Sequence, residues 1–563
     1  MDTPTSHFVA QSGPATLESC KGIHIAHLRG TPEAMGRQHA ELARQANGDA
    51  VLRYLDGLVE KLIAHAVPAI AGTGGALLKR VFHLRNRTRI GDDVLGHLRG
   101  MADGFGMPAP QLERMFFVPD IIHYLAGRSF VQLAFPPMCS GFFATGPATR
   151  DGKTIIARNF DFFGRNVWNT ANAIVVMHPD DGQRVMLFGA LGASAAPQGI
   201  NEAGIAISLH TNFCRDVATS GVPLFSVVHN VLAQATTLDE AIRIITAQPR
   251  LCSLSAFVSD TRARTAAVVG FSARHHEVVP VNDGVLVRTN HLITEEMRRL
   301  EVAPHAWQLN SRGRYQRVNA LLAEKRGALA PEDVPAILSD CFDPYEGRKC
   351  LTGSIIAGTN NTQSLVIAPD DDALYIAHAD HPVCHSEVFS GFRISALLQG
   401  DSPAYAVDDL RGGAQLDATE AAALNEYIEA WSDSFDGLDN LAAVAHLRRA
   451  SELQPGEPIF ARMAGLLLLK EKRYAEALPF LLKNCEGTPA SPLLQAEAHI
   501  WAGRCLDLLR RHDEARPHYE QAIALDAAPV SQAARRHLQR PFRAWQLFEV
   551  TPEFIVAGAM ARY

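Results

Sequence analysis

The order of hydrophobic and polar positions changes character twice along this chain. From Ile23 a short apolar run ends at Gly30, and Thr31-Pro32-Glu33 then opens a helix. Threonine stands at the N-cap, proline at the first helical position and an acid in the first turn. Met35, Leu42 and the alanines between them give that helix its apolar face. Residues 49–130 keep a helical period, broken at Ala102-Asp103-Gly104-Phe105-Gly106. Residues 1–22 show no period and are expected to form a loose leader. After Cys139 the period shortens to two. Strands are predicted near 152–160, 172–177, 184–190, 204–209, 255–259, 265–271, 276–281 and 284–289, and again near 363–368 and 373–378. Tight turns such as Asp180-Asp181-Gly182, Asp260-Thr261-Arg262 and Asn282-Asp283-Gly284 join many of them into hairpins. Residues 222–248 read as two helices, the second opened by the capping box Thr237-Leu238-Asp239-Glu240. Antiparallel sheet with inserted helices is an α+β pattern.

The second change comes near residue 415, where the chain becomes helical and rich in Ala and Leu. Ala443, Leu447, Ala450 and Pro455 have the spacing of the second helix of a tetratricopeptide repeat. The pattern returns at Ala477 and Leu481, then at Ala515, Tyr519 and Ala522, with small residues at Gly465 and Gly503 where helices must approach closely. An all-α tetratricopeptide-like domain is predicted over 416–535, after a polar linker at 401–415 and before a tail at 536–563.

Composition narrows the function classes. The 563 residues carry a net charge of −7, with 47% hydrophobic and 20% charged positions. No long basic run is present, which argues against nucleic acid as a partner. Neither a signal peptide nor a membrane span is read, and the nine cysteines include no Cys-x-x-Cys pair. A reducing, cytoplasmic location is the expectation.

One cysteine has informative neighbours. Met138-Cys139-Ser140-Gly141-Phe142-Phe143-Ala144 is followed by the turn Asp151-Gly152-Lys153 and then by Arg158-Asn159-Phe160-Asp161. A lone cysteine is most often a small buried hydrophobe. This one is followed by a cation and a carboxylate at the end of the next strand. A thiol becomes a nucleophile when a base or a cation favours its thiolate. If the peptide bond before Cys139 were cut, the new α-amine, with a pKa of roughly 7.7–8, would serve as that base. Arg158 would steady the thiolate, and Asp161 would orient the amine or a substrate N–H.

These elements, in this order, resemble the acyl-CoA:6-aminopenicillanate acyltransferase family, a relative of the bile-salt and penicillin V amidases among the N-terminal-nucleophile hydrolases. The resemblance runs over about residues 23–400. It includes Gly30 to His39, which is similar to the family's amino-terminal signature, and Gly199-Ile200-Asn201-Glu202-Ala203-Gly204, which is similar to its turn-and-strand motif. It implies a four-layer αββα sandwich over 139–400. It also implies self-cleavage between Met138 and Cys139, releasing residues 23–138 as a helical α fragment that stays associated. Asn290, in Arg288-Thr289-Asn290-His291, is implied as an oxyanion donor. A second Asn is implied after the Gly199–Gly204 motif. There the sequence reads Ser208-Leu209-His210-Thr211-Asn212, so either His210 or Asn212 takes the place, with Asn212 preferred.

The catalytic set is therefore Cys139, Arg158, Asp161, Asn212 and Asn290, with no metal and no cofactor. His378, His381, Cys384 and His385 have metal-like spacing but read as an incidental cluster at the end of a strand. The function implied is hydrolysis or transfer of an acyl group at a linear amide, or from an acyl thioester, through a Cys139 acyl-enzyme. The repeats would offer a surface for a peptide or protein partner. Two alternatives remain: a repeat scaffold with a vestigial catalytic domain, and a papain-like protease. The second leaves the Arg-Asn-x-Asp element unexplained.

Overall fold

A computed structural model describes residues 6–65, 69, 71–130, 138–164, 167–247, 249–380, 382–400, 405–413, 415–549 and 551–560. Pro136, Pro137 and His381 lie outside the described residues. The chain divides into two compact units. The first comprises Met1–Val302, Asn319–Leu338 and Asn361–Gly413. The second comprises Ala303–Val318, Ser339–Asn360 and Ala414–Tyr563.

The first unit is built on two sheets. One holds ten strands: β1 (His7–Ser12), β2 (Ala15–Cys20), β3 (Ile23–Gly30), β6 (Asn172–Pro179), β7 (Val185–Ala190), β8 (Gln198–Asn201), β9 (Ile205–Thr211), β10 (Leu254–Asp260), β11 (Thr265–Phe271) and β12 (His276–Pro280), in that spatial order. Every neighbouring pair is antiparallel except β3 and β6, which run parallel from His24–Ala173 to Gly30–Pro179. The other sheet orders β13 (Val285–Arg288), β4 (Met138–Gly146), β5 (Gly152–Asp161), β16 (Asn361–Ala368), β17 (Ala373–Ala377), β18 (Val388–Arg393) and β19 (Leu410–Arg411).

Alternation along the strands decides which face is inside. Ile23 and Ile25 on β3 join Phe143, Ile156, Leu286 and Leu365 of the smaller sheet in one core, so the two sheets share an apolar interior. Ala26 and Leu28, on the other face of β3, pack with Met35, Leu42 and Ala43 of the helix Pro32–Ala46. On the outer face of β5, Asn159 Nδ2 donates to the carbonyl of Leu338, the last residue of the helix Val334–Leu338. Sheets thus lie against sheets inside, with helices outside.

The amino-terminal signature has a packing role. Thr31 Oγ1 caps the helix by accepting from Ala34 N at 3.2 Å. Gln38 clamps the helix to β3 by pairing with both backbone groups of Arg29 at 2.8 Å. A Cβ on Gly36 would meet the carbonyl oxygen of His97 at 2.0 Å, so only glycine lets the helices Pro32–Ala46 and Asp92–Phe105 cross this closely.

Two sequence expectations are corrected here. Residues 1–22 are not a loose leader throughout, because β1 and β2 form a hairpin at the edge of the larger sheet. The 401–415 segment is not simply a linker: Leu410 and Arg411 pair with Phe389 and Val388, and Tyr405 is buried. Both segments are short and polar, so apolar alternation could not reveal them. Their anchors are polar instead. Lys21 Nζ donates to Val407 O at 2.7 Å and pairs with Asp409 Oδ1 at 2.5 Å, and the Tyr405 hydroxyl bonds His27 Nε2 at 2.9 Å.

The second unit contains the C-terminal helical region: Ala418–Phe435, Asn440–Leu453, Pro458–Lys470, Tyr474–Cys485, Pro492–Leu508, His512–Ala524 and Val530–Gln539. A Cβ on Gly465 would meet Leu481 at 2.7 Å, and one on Gly503 would meet Tyr519 at 2.7 Å. In both cases the facing residue is on the next helix. Residues 536–563, read from the sequence as a tail, include the hairpin β20 (Thr551–Glu553) and β21 (Gly558–Met560). Residues 339–360, placed by the sequence in the catalytic segment, cluster with these helices instead. They hold the short hairpin β14 (Phe342–Asp343) and β15 (Arg348–Lys349). The reason is again polar: Leu351 N donates to Glu457 Oε2 at 3.0 Å, and Arg462 pairs with Glu346 at 2.7 Å.

Candidate active site

Register places the reactive side chains. On β4 and β5, Cys139 lies opposite Phe160, and Gly141 lies opposite Arg158. Counting by twos from the core residues Phe143 and Ile156 puts Cys139 and Arg158 on the inner face. Leu286 puts Arg288 on that same face, and two residues past the end of β13 Asn290 meets the backbone N of Cys139. All are buried.

Arg158 is the centre of the arrangement. Its Nη2 donates to Cys139 Sγ at 3.2 Å and to the carbonyl of Leu209. Its Nη1 donates to Gln198 Oε1 at 2.7 Å. The guanidinium also stacks over the Phe160 ring at 5.1 Å. The side chain is only 2% exposed, and among the described residues no carboxylate pairs with it. A buried cation without a counter-ion favours an anion beside it, and the nearest acidic group it touches is the Cys139 thiol.

Asn290 holds the other side. Its Oδ1 accepts from the backbone N of Cys139 at 2.9 Å, and its Nδ2 donates to Thr211 O at 2.9 Å. That backbone N would become the α-amine after cleavage. Asp161 falls on the opposite face of β5 from Arg158, and its cross-strand neighbour is Met138, the residue before the bond expected to break. Asn361 Nδ2 donates to Asp161 Oδ1 at 2.8 Å.

The two candidates for the second oxyanion donor differ in their surroundings. The amide of Asn212 is engaged on β10 and its approach: Nδ2 donates to Ser255 Oγ at 2.8 Å, and Oδ1 accepts from Ser253 Oγ. His210 projects inward toward Gly141, with its ring tilted against Phe257 at 6.1 Å. Within the turn motif, Asn201 has a structural part. It accepts from Ile205 N at 2.9 Å and donates to Leu232 O and Ala235 O, tying the turn to the helix Leu224–Gln234.

Three residues of the network escape sequence motifs. Gln198 links Arg158 to Gln363, whose Nε2 donates to Asn172 Oδ1 at 3.0 Å. Asn361 links Asp161 to Ser364 and to the backbone N of Cys384. The available signal was the polar run Asn361-Thr362-Gln363-Ser364 ahead of an apolar strand. Among the described members of the metal-like cluster, Cys384 is wholly buried, and no three-ligand group forms there.

A cavity of ≈ 110 Å³ has Leu209, whose carbonyl accepts from Cys139 Sγ, in its wall. Phe160, Leu209 and Gln363 form its end near Cys139, and Leu58, Met115, Ile122, Ala193 and Phe225 line the remainder. Its walls are mostly aliphatic and aromatic. His123, also in the wall, is held neutral by burial, which lowers its pKa to about 4.

The first unit is thus a mixed α/β fold with a buried thiol and a guanidinium against it. Residues 148–365 match the family described as acyl-coenzyme A:6-aminopenicillanic acid acyl-transferase, so the chain resembles that family over this stretch. The matched residues include Arg158, Asp161, Asn212 and Asn290 and begin after Cys139. An uncharacterized protein of Archaeoglobus fulgidus is 22% identical over 482 residues, covering 76% of this chain and 78% of the relative. Among solved structures, a Caenorhabditis elegans ortholog of N-acylethanolamine-hydrolyzing acid amidase is similar at 16% identity and a TM-score of 0.31, over 41% of this chain and 93% of that one. A variant of conjugated bile acid hydrolase from Clostridium perfringens is similar at 15% identity and a TM-score of 0.32, over 50% of this chain and 100% of that one. No helix among the described residues is long and apolar enough to cross a membrane.

Proposed function

We propose that the chain cuts itself between Met138 and Cys139, and that Cys139 then transfers an apolar acyl group from a linear amide or a thioester. The observation that carries this reading is Arg158: a buried guanidinium with no carboxylate partner among the described residues, 3.2 Å from Cys139 Sγ. It would favour the thiolate once the freed α-amine accepts the thiol proton. The thiolate attacks the acyl carbonyl, the tetrahedral oxyanion collapses, and the amine or thiol leaves with a proton. Water, an amine or a thiol then takes the acyl group from sulfur. Asn290 would orient the amine and help bind the oxyanion. The acyl chain would lie in the cavity between Leu209 and Phe225, whose walls offer few polar groups. The matched family name supports acyl transfer as the chemistry. We further propose that the C-terminal helices are tetratricopeptide-like repeats, a reading supported by the paired close approaches at Gly465 and Gly503.

The test has two arms. Terminal sequencing of the purified protein should find a chain beginning at Cys139. Fluorogenic amides of straight-chain fatty acids should release their amine, and an added amine or thiol acceptor should divert product from free acid to acyl adduct. A chain that is never cut and hydrolyses no acyl amide would overturn the proposal.

A further inference from the structure

In the second unit, three side chains from three successive helices converge on one point. Cys485 ends the helix Tyr474–Cys485, His499 projects from Pro492–Leu508 and His518 from His512–Ala524. His499 Nδ1 and His518 Nδ1 are 3.1 Å apart, Cys485 Sγ is 4.0 Å from His518 Nδ1, and all three atoms lie within 4.8 Å of one another. All three residues are half-buried, and among the described residues this is the one such group of three metal-binding side chains.

We propose that Cys485, His499 and His518 form a binding site for a borderline-soft divalent cation, zinc in the first instance. Tetrahedral zinc, with bonds of about 2.3 Å to sulfur and 2.0 Å to nitrogen, separates sulfur from nitrogen by about 3.5 Å and two nitrogens by about 3.3 Å. The His499–His518 separation of 3.1 Å and the Cys485–His518 separation of 4.0 Å lie within about half an ångström of these. One sulfur and two imidazole nitrogens suit zinc better than magnesium or calcium, which take oxygen ligands. With three protein ligands, a water completes the tetrahedron. Binding exchanges the thiol proton for the metal: one Zn²⁺ adds, the S–H bond breaks and one proton enters solvent. Both imidazoles then carry their single proton on Nε2, which frees each Nδ1 to donate its lone pair. The ion would add a tie between helices already joined by contacts such as the Tyr519 hydroxyl donating to Asp507 Oδ2 at 2.7 Å. The competing arrangement is a plain histidine–histidine hydrogen bond beside a thiol.

The test uses the full chain carrying Cys139→Ala, which takes the active-site thiol out of the readout. After chelator treatment it is titrated with Co²⁺. One equivalent should produce a sulfur-to-cobalt charge-transfer band in the near ultraviolet and visible bands of four-coordinate intensity, and Zn²⁺ should bleach both. Cys485→Ser should abolish the charge-transfer band, and His499→Gln or His518→Gln should weaken cobalt binding by roughly 100-fold. The melting temperature of each variant in chelator shows that it is folded. If a variant fails to fold, the titration of the Cys139→Ala chain still decides, together with the zinc content of the protein as purified. No band at stoichiometric cobalt and no co-purifying zinc would overturn the proposal, as would a band that survives Cys485→Ser.

Discussion

The backbone N of Cys139 donates to Asn290 Oδ1 at 2.9 Å, so a side chain 151 positions later holds the atom that would become the catalytic amine. The contact follows from register: Arg288 pairs with Gly141, and Asn290 and Cys139 each lie two residues on in the same direction. Asn290→Ala should lower acyl turnover by about 10²–10³-fold, the usual effect of losing an oxyanion or positioning group. Steady-state kinetics beside a thermal melt check this. Unchanged turnover would remove Asn290 from the site.

Cys139→Ala should give one uncut chain on a denaturing gel and by intact mass. The wild type should give two fragments that co-elute under native conditions. Cleavage of the alanine variant at the same bond would assign the nucleophile elsewhere.

Arg158→Met keeps the length of the side chain and removes its charge. Without the cation, the thiolate is less favoured, so the ascending limb of the pH–rate profile should move to higher pH and turnover should fall by about 10²-fold. The change also leaves Gln198 Oε1 without its donor, which should cost roughly 1–3 kcal/mol of stability. A lowered melting temperature with an unmoved pH profile would make Arg158 a structural residue only.

Ala193→Phe projects a ring into the apolar cavity that ends at Leu209. It should raise KM for long acyl chains by about tenfold or more while sparing acetyl or butyryl substrates. Equal effects at every chain length would place the acyl group in another part of the molecule.

Asp120 sets a pH dependence of stability. Burial raises its pKa from 3.8 to about 7, although Leu224 N donates to it at 3.1 Å. The folded state therefore keeps a proton that the unfolded chain releases. The stability from this group is full below about pH 4 and is lost as pH rises through 7, on the order of a few kcal/mol. Asp120→Asn should flatten that descent. A melting-temperature difference between pH 5 and pH 8 equal to that of the wild type would exclude Asp120 as its source.

Several strands after Cys139 are legible as short apolar runs, as with Thr265–Phe271 and Ala373–Ala377, which are buried along nearly their whole length. The strands missed, Gln198–Asn201 and Val388–Arg393, are short or carry polar residues at buried positions. The cation beside Cys139 was likewise within reach of the sequence, since Arg158 follows on the partner strand. Gln198 and Gln363 were not. Their roles depend on which strands become neighbours, and the crossover joining β3 to β6 leaves no local mark. The partners of Asn212 were not legible either, because Ser253 and Ser255 lie more than forty residues away.

That crossover also bears on how the protein could be made. Three strands of the larger sheet precede Cys139, and β3 is hydrogen-bonded into its interior along all of its pairs with β6. A fragment so embedded has no reason to leave once the connecting peptide is cut. The two pieces should therefore assemble when supplied as separate polypeptides. Met138 makes the trial simple: translation begun there, with the initiator methionine trimmed, yields a chain that starts at Cys139 with its amine already free. Co-expressed with residues 1–137, it should acquire activity by complementation, even where a sequence change upstream has disabled self-cutting.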